Sequence, residues 1–176
     1  IAWGNNENGE TDIPDGLSDV MAITAGQQHS LALTASGDVV AWGYNNVGQT
    51  DVPEGLSDII AIAAGYYHSL ALTTSGDVVA WGEMLGEGIV PESLEDIIAI
   101  AAGLYHSLAL TTSGDVVGWG WNQNGETDIP EGLEDVVAID AGSDHSLALT
   151  TSGDVIAWGN NEWGQTDVPE ELSDVV

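Results

Sequence analysis

The sequence contains no lysine and no arginine. A chain without a cationic side chain cannot neutralise phosphates or release their counterions, so nucleic-acid binding through a basic patch is excluded. Attraction to an anionic membrane surface is excluded on the same ground. Lysine Schiff bases, arginine fingers and phosphate-loop lysines are also out of reach. Cysteine is absent too, which removes a disulfide framework and any thiolate metal site. No apolar run approaches the length of a membrane span. No signal peptide is visible, and the chain opens on Ile1 rather than Met, as expected of a segment that starts in mid-sequence.

What is present is acidic and apolar together. The 176 residues carry 29 Asp plus Glu, a formal charge of −29. Acidity of this degree often accompanies disorder, but charged residues are only 16% of the chain and hydrophobic ones 43%, with many Val, Ile and Trp. Disordered acidic chains are poor in those types. The expectation is one folded domain over residues 1–176, long enough to bury a core.

A repeat organises the whole chain. Trp-Gly recurs at Trp3, Trp42, Trp81, Trp119 and Trp158, at spacings of 39, 39, 38 and 39. Pro14, Pro53, Pro91, Pro130 and Pro169 keep that beat and are all the prolines; His29, His68, His106 and His145 keep it and are all the histidines. The units run 1–39, 40–78, 79–116 and 117–155, with a partial fifth at 156–176 that repeats the segment already present at the start. In the third unit Glu83-Met84-Leu85-Gly86-Glu87 replaces an Asn-rich loop, and one residue is lost.

Each unit reads as strands joined by turns. Asp58–Gly65 is a short, nearly continuous apolar run, expected to be a strand buried on both faces. His68–Thr74, Ser75-Gly76-Asp77 and then Val78–Gly82 read as a hairpin whose glycine supplies a positive φ. Gly48–Pro53 reads as a short outer strand, where proline and an exposed Asp suit an edge. Three to four strands per unit make one blade of a β-propeller, so the predicted class is all-β, with about 4.5 blades. Such a count fits a partial or open propeller, or one completed by oligomerisation through open blade edges.

The string A-G-x-x-H-S-L-A-L-T-x-S-G-D-V-V-A-W-G-x-N-x-x-G-Q recurs four times and spans the chain. It resembles the repeat of the regulator of chromosome condensation family. The short unit, with Thr50-Asp51-Val52-Pro53, is most similar to compact bacterial members of that superfamily, among them a secreted propeller-type β-lactamase inhibitory protein. The resemblance implies a seven-bladed propeller that grips other proteins and does no chemistry of its own. Its eukaryotic members include nucleotide-exchange factors that touch chromatin, a contact that a chain without basic residues cannot make.

Comparing the internal copies separates constant from variable columns. The Trp of each Trp-Gly (Trp3, Trp42, Trp81, Trp119, Trp158) is expected to pack between blades with its N–H partnered. The small residues Ala61, Ala63, Ala64 and Gly65 allow close strand approach. His29, His68, His106 and His145 read as structural, each imidazole bonding a neighbouring blade's backbone, rather than as a metal ring or as nucleophile activators. Asp38, Asp77, Asp115 and Asp154 after Ser-Gly, and Asp19, Asp58, Asp96, Asp135 and Asp174 before the apolar strand, read as turn residues.

The remaining aromatics are Tyr44, Tyr66, Tyr67, Tyr105, Trp121 and Trp163. All fall in two variable loops, one just before the His and one just after Trp-Gly. A constant scaffold carrying variable, aromatic loops is how a binding surface is built, and freely drifting loops are the alternative. The candidate partner-binding residues are Gln28, Tyr44, Tyr66, Tyr67, Leu104, Tyr105, Trp121, Asp144 and Trp163. The resemblance implies that Tyr67 and Tyr105 are the best anchors, because the propeller-type inhibitor makes aromatic contacts from this column; Gln28 and Asp144 fill it in the flanking units.

Asn5–Asp12 and Asn122–Asp128 have part of a calcium-loop pattern, but Gly4 and Gly120 stand where its first Asp belongs. No cofactor is expected, and Ca²⁺ is the one ion for which even a partial pattern exists. Diffuse cation association, or a saline medium that screens self-repulsion, accounts for the acidity more simply and points to an extracellular or cell-surface setting. The expected activity is therefore a non-catalytic protein-interaction module with a basic or cation-bridged partner. The alternative is a structural, self-assembling repeat segment of a larger surface protein.

Overall fold

The computed structural model describes residues 1–83 and 89–169, with Leu172 and Val175. The altered loop of the third unit (residues 84–88) and Asp174 lie outside the described residues.

Twelve strands occur in four groups of three, and no helix is present among the described residues. The first sheet is β1 (Val20–Ala25), β2 (His29–Thr34) and β3 (Val39–Gly43). The second is β4 (Ile59–Ala64), β5 (His68–Thr73) and β6 (Val78–Gly82). The third is β7 (Ile97–Ala102), β8 (His106–Thr111) and β9 (Val116–Gly120), and the fourth β10 (Val136–Ala141), β11 (His145–Thr150) and β12 (Val155–Gly159). Each sheet is an antiparallel meander in chain order. The first strands pack on one another from sheet to sheet, β1 on β4, β4 on β7 and β7 on β10, and so form the inner row. The fold is thus all-β, with four propeller blades side by side.

Alternating side chains of the middle strands fill the seams. Leu31 and Leu33 of the first blade meet Ile59, Ala71 and Trp81 of the second. Leu70 and Leu72 meet Ile97, Ala109 and Trp119, and Leu108 and Leu110 meet Val136, Ala148 and Trp158. Those four later leucines are wholly buried, whereas their equivalents in the last blade, Leu147 and Leu149, are only half-buried, because no described blade covers them.

Two strand expectations are corrected. Gly48–Pro53 and its counterparts in the units described throughout are turn and coil, not a fourth strand. The Asn45 side chain explains this: its Oδ1 accepts from Thr50 N (3.0 Å) and its Nδ2 donates to Asp51 Oδ1 (2.7 Å), closing the segment on itself. The inner strands are not buried on both faces either. A bulge at the second residue of each turns Met21, Ile60, Ile98 and Val137 outward, with 51–73% exposure. The aspartates ahead of these strands adopt left-handed backbone, φ 54–58° at Asp19, Asp58, Asp96 and Asp135, a conformation that Asp tolerates better than most residues.

Candidate functional site

Each seam is closed by one small hydrogen-bond cluster. His29 Nε2 lies 2.9 Å from Ser69 Oγ of the next blade. Ser69 Oγ donates to the Gln49 carbonyl (2.9 Å), which also accepts from Trp81 Nε1 (3.0 Å). With the serine proton spent on that carbonyl, the imidazole must donate from Nε2. His68 and His106 stand 3.0 Å from Ser107 and Ser146, and the Glu126 carbonyl takes both Ser146 (2.8 Å) and Trp158 (2.9 Å). At the first blade the Glu10 carbonyl accepts from Trp42 Nε1 (2.8 Å) and Ser30 Oγ (3.3 Å).

The histidine partner is therefore a serine hydroxyl rather than the neighbouring backbone. Burial pushes His29, His68 and His106 down to about 4, so these rings are neutral at physiological pH. Trp81, Trp119 and Trp158 are buried in the seams. Trp3 is not: it is 85% exposed and packs in no seam among the described residues.

At the His end of the strands the two variable loops converge. The residue before each His accepts from the residue after the next Trp-Gly: Tyr44 N to Gln28 O (2.8 Å), Glu83 N to Tyr67 O (2.9 Å), Trp121 N to Tyr105 O (2.9 Å) and Asn160 N to Asp144 O (2.8 Å). A second set of backbone bonds runs between blades, Gln27 N to Gly65 O (3.3 Å), Tyr66 N to Leu104 O (3.1 Å) and Leu104 N to Ser143 O (3.0 Å). Bonded in both directions, the loops form one continuous rim.

Side chains from three consecutive blades meet on that rim. Ring centroids step from Tyr44 to Tyr67 (6.3 Å), Tyr67 to Tyr66 (4.0 Å), Tyr66 to Tyr105 (5.6 Å) and Tyr105 to Trp121 (6.4 Å). The three longer spacings are those of favourable tilted pairs, while Tyr66 and Tyr67 are in closer edge-on contact. A hydrogen bond with Tyr66, reinforced by partial desolvation and the neighbouring phenols, pushes the Tyr67 hydroxyl up to about 12. The Tyr67 phenol is consequently neutral over the whole physiological range. Leu104 lies at its inner edge, and Gln28 and Asp144 stand on the flanking blades.

Trp163 is not part of the ladder: it is 86% exposed on the loop after β12, and its N donates to Gln165 Oε1 (2.9 Å). Among the described residues the rim offers apolar faces, phenol hydroxyls, backbone and the side chains of Gln28 and Asp144.

The Asn-rich loops have their own use for carboxylates. Asn6, Asn45, Asn122 and Asn161 donate through Nδ2 to Asp12, Asp51, Asp128 and Asp167 at 2.7–2.8 Å. Glu126 is buried, and its carboxylate accepts from Asn124 N (2.8 Å) and Nδ2 (2.7 Å). Asparagine amides thus supply the donors that lysine and arginine supply elsewhere. Among the described residues no group of three or more His, Asp or Glu is arranged to hold a metal ion. Neither the Asn–Asp closure nor the doubly used carbonyl of Glu10, Gln49 and Glu126 follows from residue type. The available signal was spacing, since each such carbonyl lies 32 residues before the Trp it receives.

Comparison with known proteins agrees with this architecture. The profile of the regulator of chromosome condensation (RCC1) repeat matches residues 21–49, 59–84, 97–126 and 136–165. No curated protein sequence matches significantly. Among solved structures, a complex of Kap60 bound to yeast RCC1 (Prp20) matches with 25% identity and a TM-score of 0.73, over 89% of this chain and 47% of that one. The ectodomain of the receptor kinase CR4 from Physcomitrella patens matches with 27% identity and a TM-score of 0.72, over 89% and 46%. Prp20p from Saccharomyces cerevisiae, described with its binding to Gsp1p and histones, shares the fold at 24% identity and a TM-score of 0.72, over 92% and 51%. The chain spans about half the length of these solved relatives.

Proposed function

Because the chain belongs to the regulator of chromosome condensation (RCC1) repeat family, we propose that it is a non-catalytic protein-interaction module whose docking face is the aromatic rim. Propellers of this family typically serve as binding or exchange-factor modules. The observation that carries the reading is the ladder itself: five rings from three blades, drawn from the variable columns, form one contiguous patch on a scaffold that is otherwise constant. Tyr and Trp supply large, stiff contact area at low entropic cost, which is why they dominate binding hot spots.

With a charge of −29 and no Lys or Arg, the face favours a basic partner or one bridged by cations. Replacing Tyr66, Tyr67 and Tyr105 together by Ala is expected to abolish partner capture while leaving the thermal transition nearly in place. Undiminished capture by the folded variant would refute the assignment.

A second reading has support at the blade ends. Leu147 and Leu149 are half-covered, and Ile23 (76% exposed) and Trp3 (85%) are open on the first blade, so another blade of the same kind has apolar surface to cover. Under this reading copies associate edge to edge. Light scattering across a salt series tests it: a constant monomer mass contradicts it, and growth in mass as repulsion is screened supports it.

A further inference from the structure

Resting on the docking reading and deepening it, we propose that the axial pit beside Tyr66 is the receptor for an arginine side chain on the partner's docking segment. The pit is a 590 Å³ cavity where the four inner strands end at the rim. The glycines in its wall are fixed by stereochemistry: a Cβ on Gly65 or Gly103 would press on the ring of His68 or His106 and stand 2.6 Å from the Gly103 or Gly142 carbonyl.

The walls bring together Gln27, Tyr66, Leu104 and Asp144. The backbone N–H groups of Gln27, Tyr66 and Leu104 are already spent on neighbouring carbonyls, and the chain has no basic residue, so an anion would find little to hold it. A cation finds the Asp144 carboxylate, the Gln27 amide oxygen and the face of Tyr66. A guanidinium suits this set better than an ammonium. It is planar, sheds water more readily, stacks on a ring and offers a donor fork that a carboxylate accepts in two bonds.

The source is a peptide segment rather than a free small cation, because Tyr66 belongs to pit and ladder at once. Its ring lies 4.0 Å from that of Tyr67 and 5.6 Å from that of Tyr105, so a residue beside the seated arginine continues directly onto aromatic surface. The partner chemistry is thus an exposed loop or strand with arginine flanked by apolar residues.

The test is an amide and ring NMR titration of the folded protein with the capped tripeptide Leu-Arg-Leu and its lysine and citrulline counterparts. The arginine peptide is expected to shift Gln27, Tyr66, Leu104 and Asp144, binding about fivefold more tightly than the lysine peptide. It is expected to bind about tenfold more tightly than neutral citrulline. Asp144→Asn should weaken it by about tenfold, while Asp154→Asn, in a turn at the opposite end of the blade, should not. Equal binding of citrulline, indifference to Asp144→Asn, or shifts spread evenly over the acidic turns would overturn the proposal.

The wider reading is separated by a ladder variant that spares the pit wall, Tyr67→Ala with Tyr105→Ala. Loss of partner capture in that variant without arginine preference at the pit sinks the pit alone. Arginine preference with capture undiminished in that variant sinks the docking face alone.

Discussion

The seams and the rim of this molecule are built from opposite materials. A seam repeats one arrangement: a neutral His, a Ser and a Trp converge across two blades on shared backbone carbonyls, as at Gln49 and Glu126. The rim repeats only its backbone bonds, while its side chains change from Gln28 to Tyr67, Tyr105 and Asp144. Buried polar groups are expensive to leave unpaired, so a seam tolerates no drift, whereas a rim side chain costs the fold little. On the proposed docking reading that contrast separates stability from recognition, and substitutions can break it in either direction.

At neutral pH the largest effect of a single substitution is expected at the inner glycines. Gly103→Ala forces a methyl against the Gly142 carbonyl at 2.6 Å and against the His106 ring, and overpacking of this kind costs about 1–3 kcal/mol. Calorimetry should show Tm lowered by several degrees.

Acid should act next, through the same seams. The buried imidazoles have pKa values of about 4, below the usual 6.5, so the unfolded chain takes up protons that the folded one refuses. Their contribution is intact above pH 6.5 and drains away as pH falls toward 4, by up to about 3 kcal/mol per ring. Protonation of repelling carboxylates works in the opposite direction over the lower part of that range. His68→Gln keeps a donor toward Ser107 and cannot titrate, so denaturant melts between pH 7 and 4 should show a shallower decline than wild type.

Ser107→Ala, which removes the partner of His68 Nε2 and leaves that buried nitrogen unpaired, should cost about 1–3 kcal/mol by denaturant titration at pH 7. At the rim, Tyr66→Phe removes the hydroxyl that raises Tyr67, and ultraviolet titration should show the Tyr67 phenol ionising below its value of about 12. Stability should hardly change. A large loss of Tm there would blur the division between the two regions.

Much of this fold was legible in the sequence because duplication printed it four times. Trp-Gly, His-Ser and Ser-Gly-Asp mark the middle and outer strands of every blade, and the register follows from them. The missing fourth strand was not legible. Thr50-Asp51-Val52 has strand-like composition, and only the Asn45 side chain, reaching five and six residues ahead, shows why it turns instead. The bulge that exposes Ile60 and its equivalents was hidden for a similar reason, since an apolar run does not reveal which residue leaves the ladder.

The candidate site was legible as columns but not as a surface. Nothing in the order of residues says that Tyr44 meets Tyr67 across a blade boundary, or that Trp163, from an equivalent loop, stands apart. That outcome depends on backbone bonds such as Tyr66 N to Leu104 O, which join blades that are distant in sequence.

Recognition at the aromatic rim is the proposal on which the rest depends, and site-specific photocrosslinking probes it at single positions. A benzophenone side chain is placed at Tyr67 in one variant and at Thr112, an exposed turn at the opposite end of the blades, in another. The account predicts a crosslinked partner from the Tyr67 position and none from Thr112. Equal yields from both, or a yield from Thr112 alone, would contradict it.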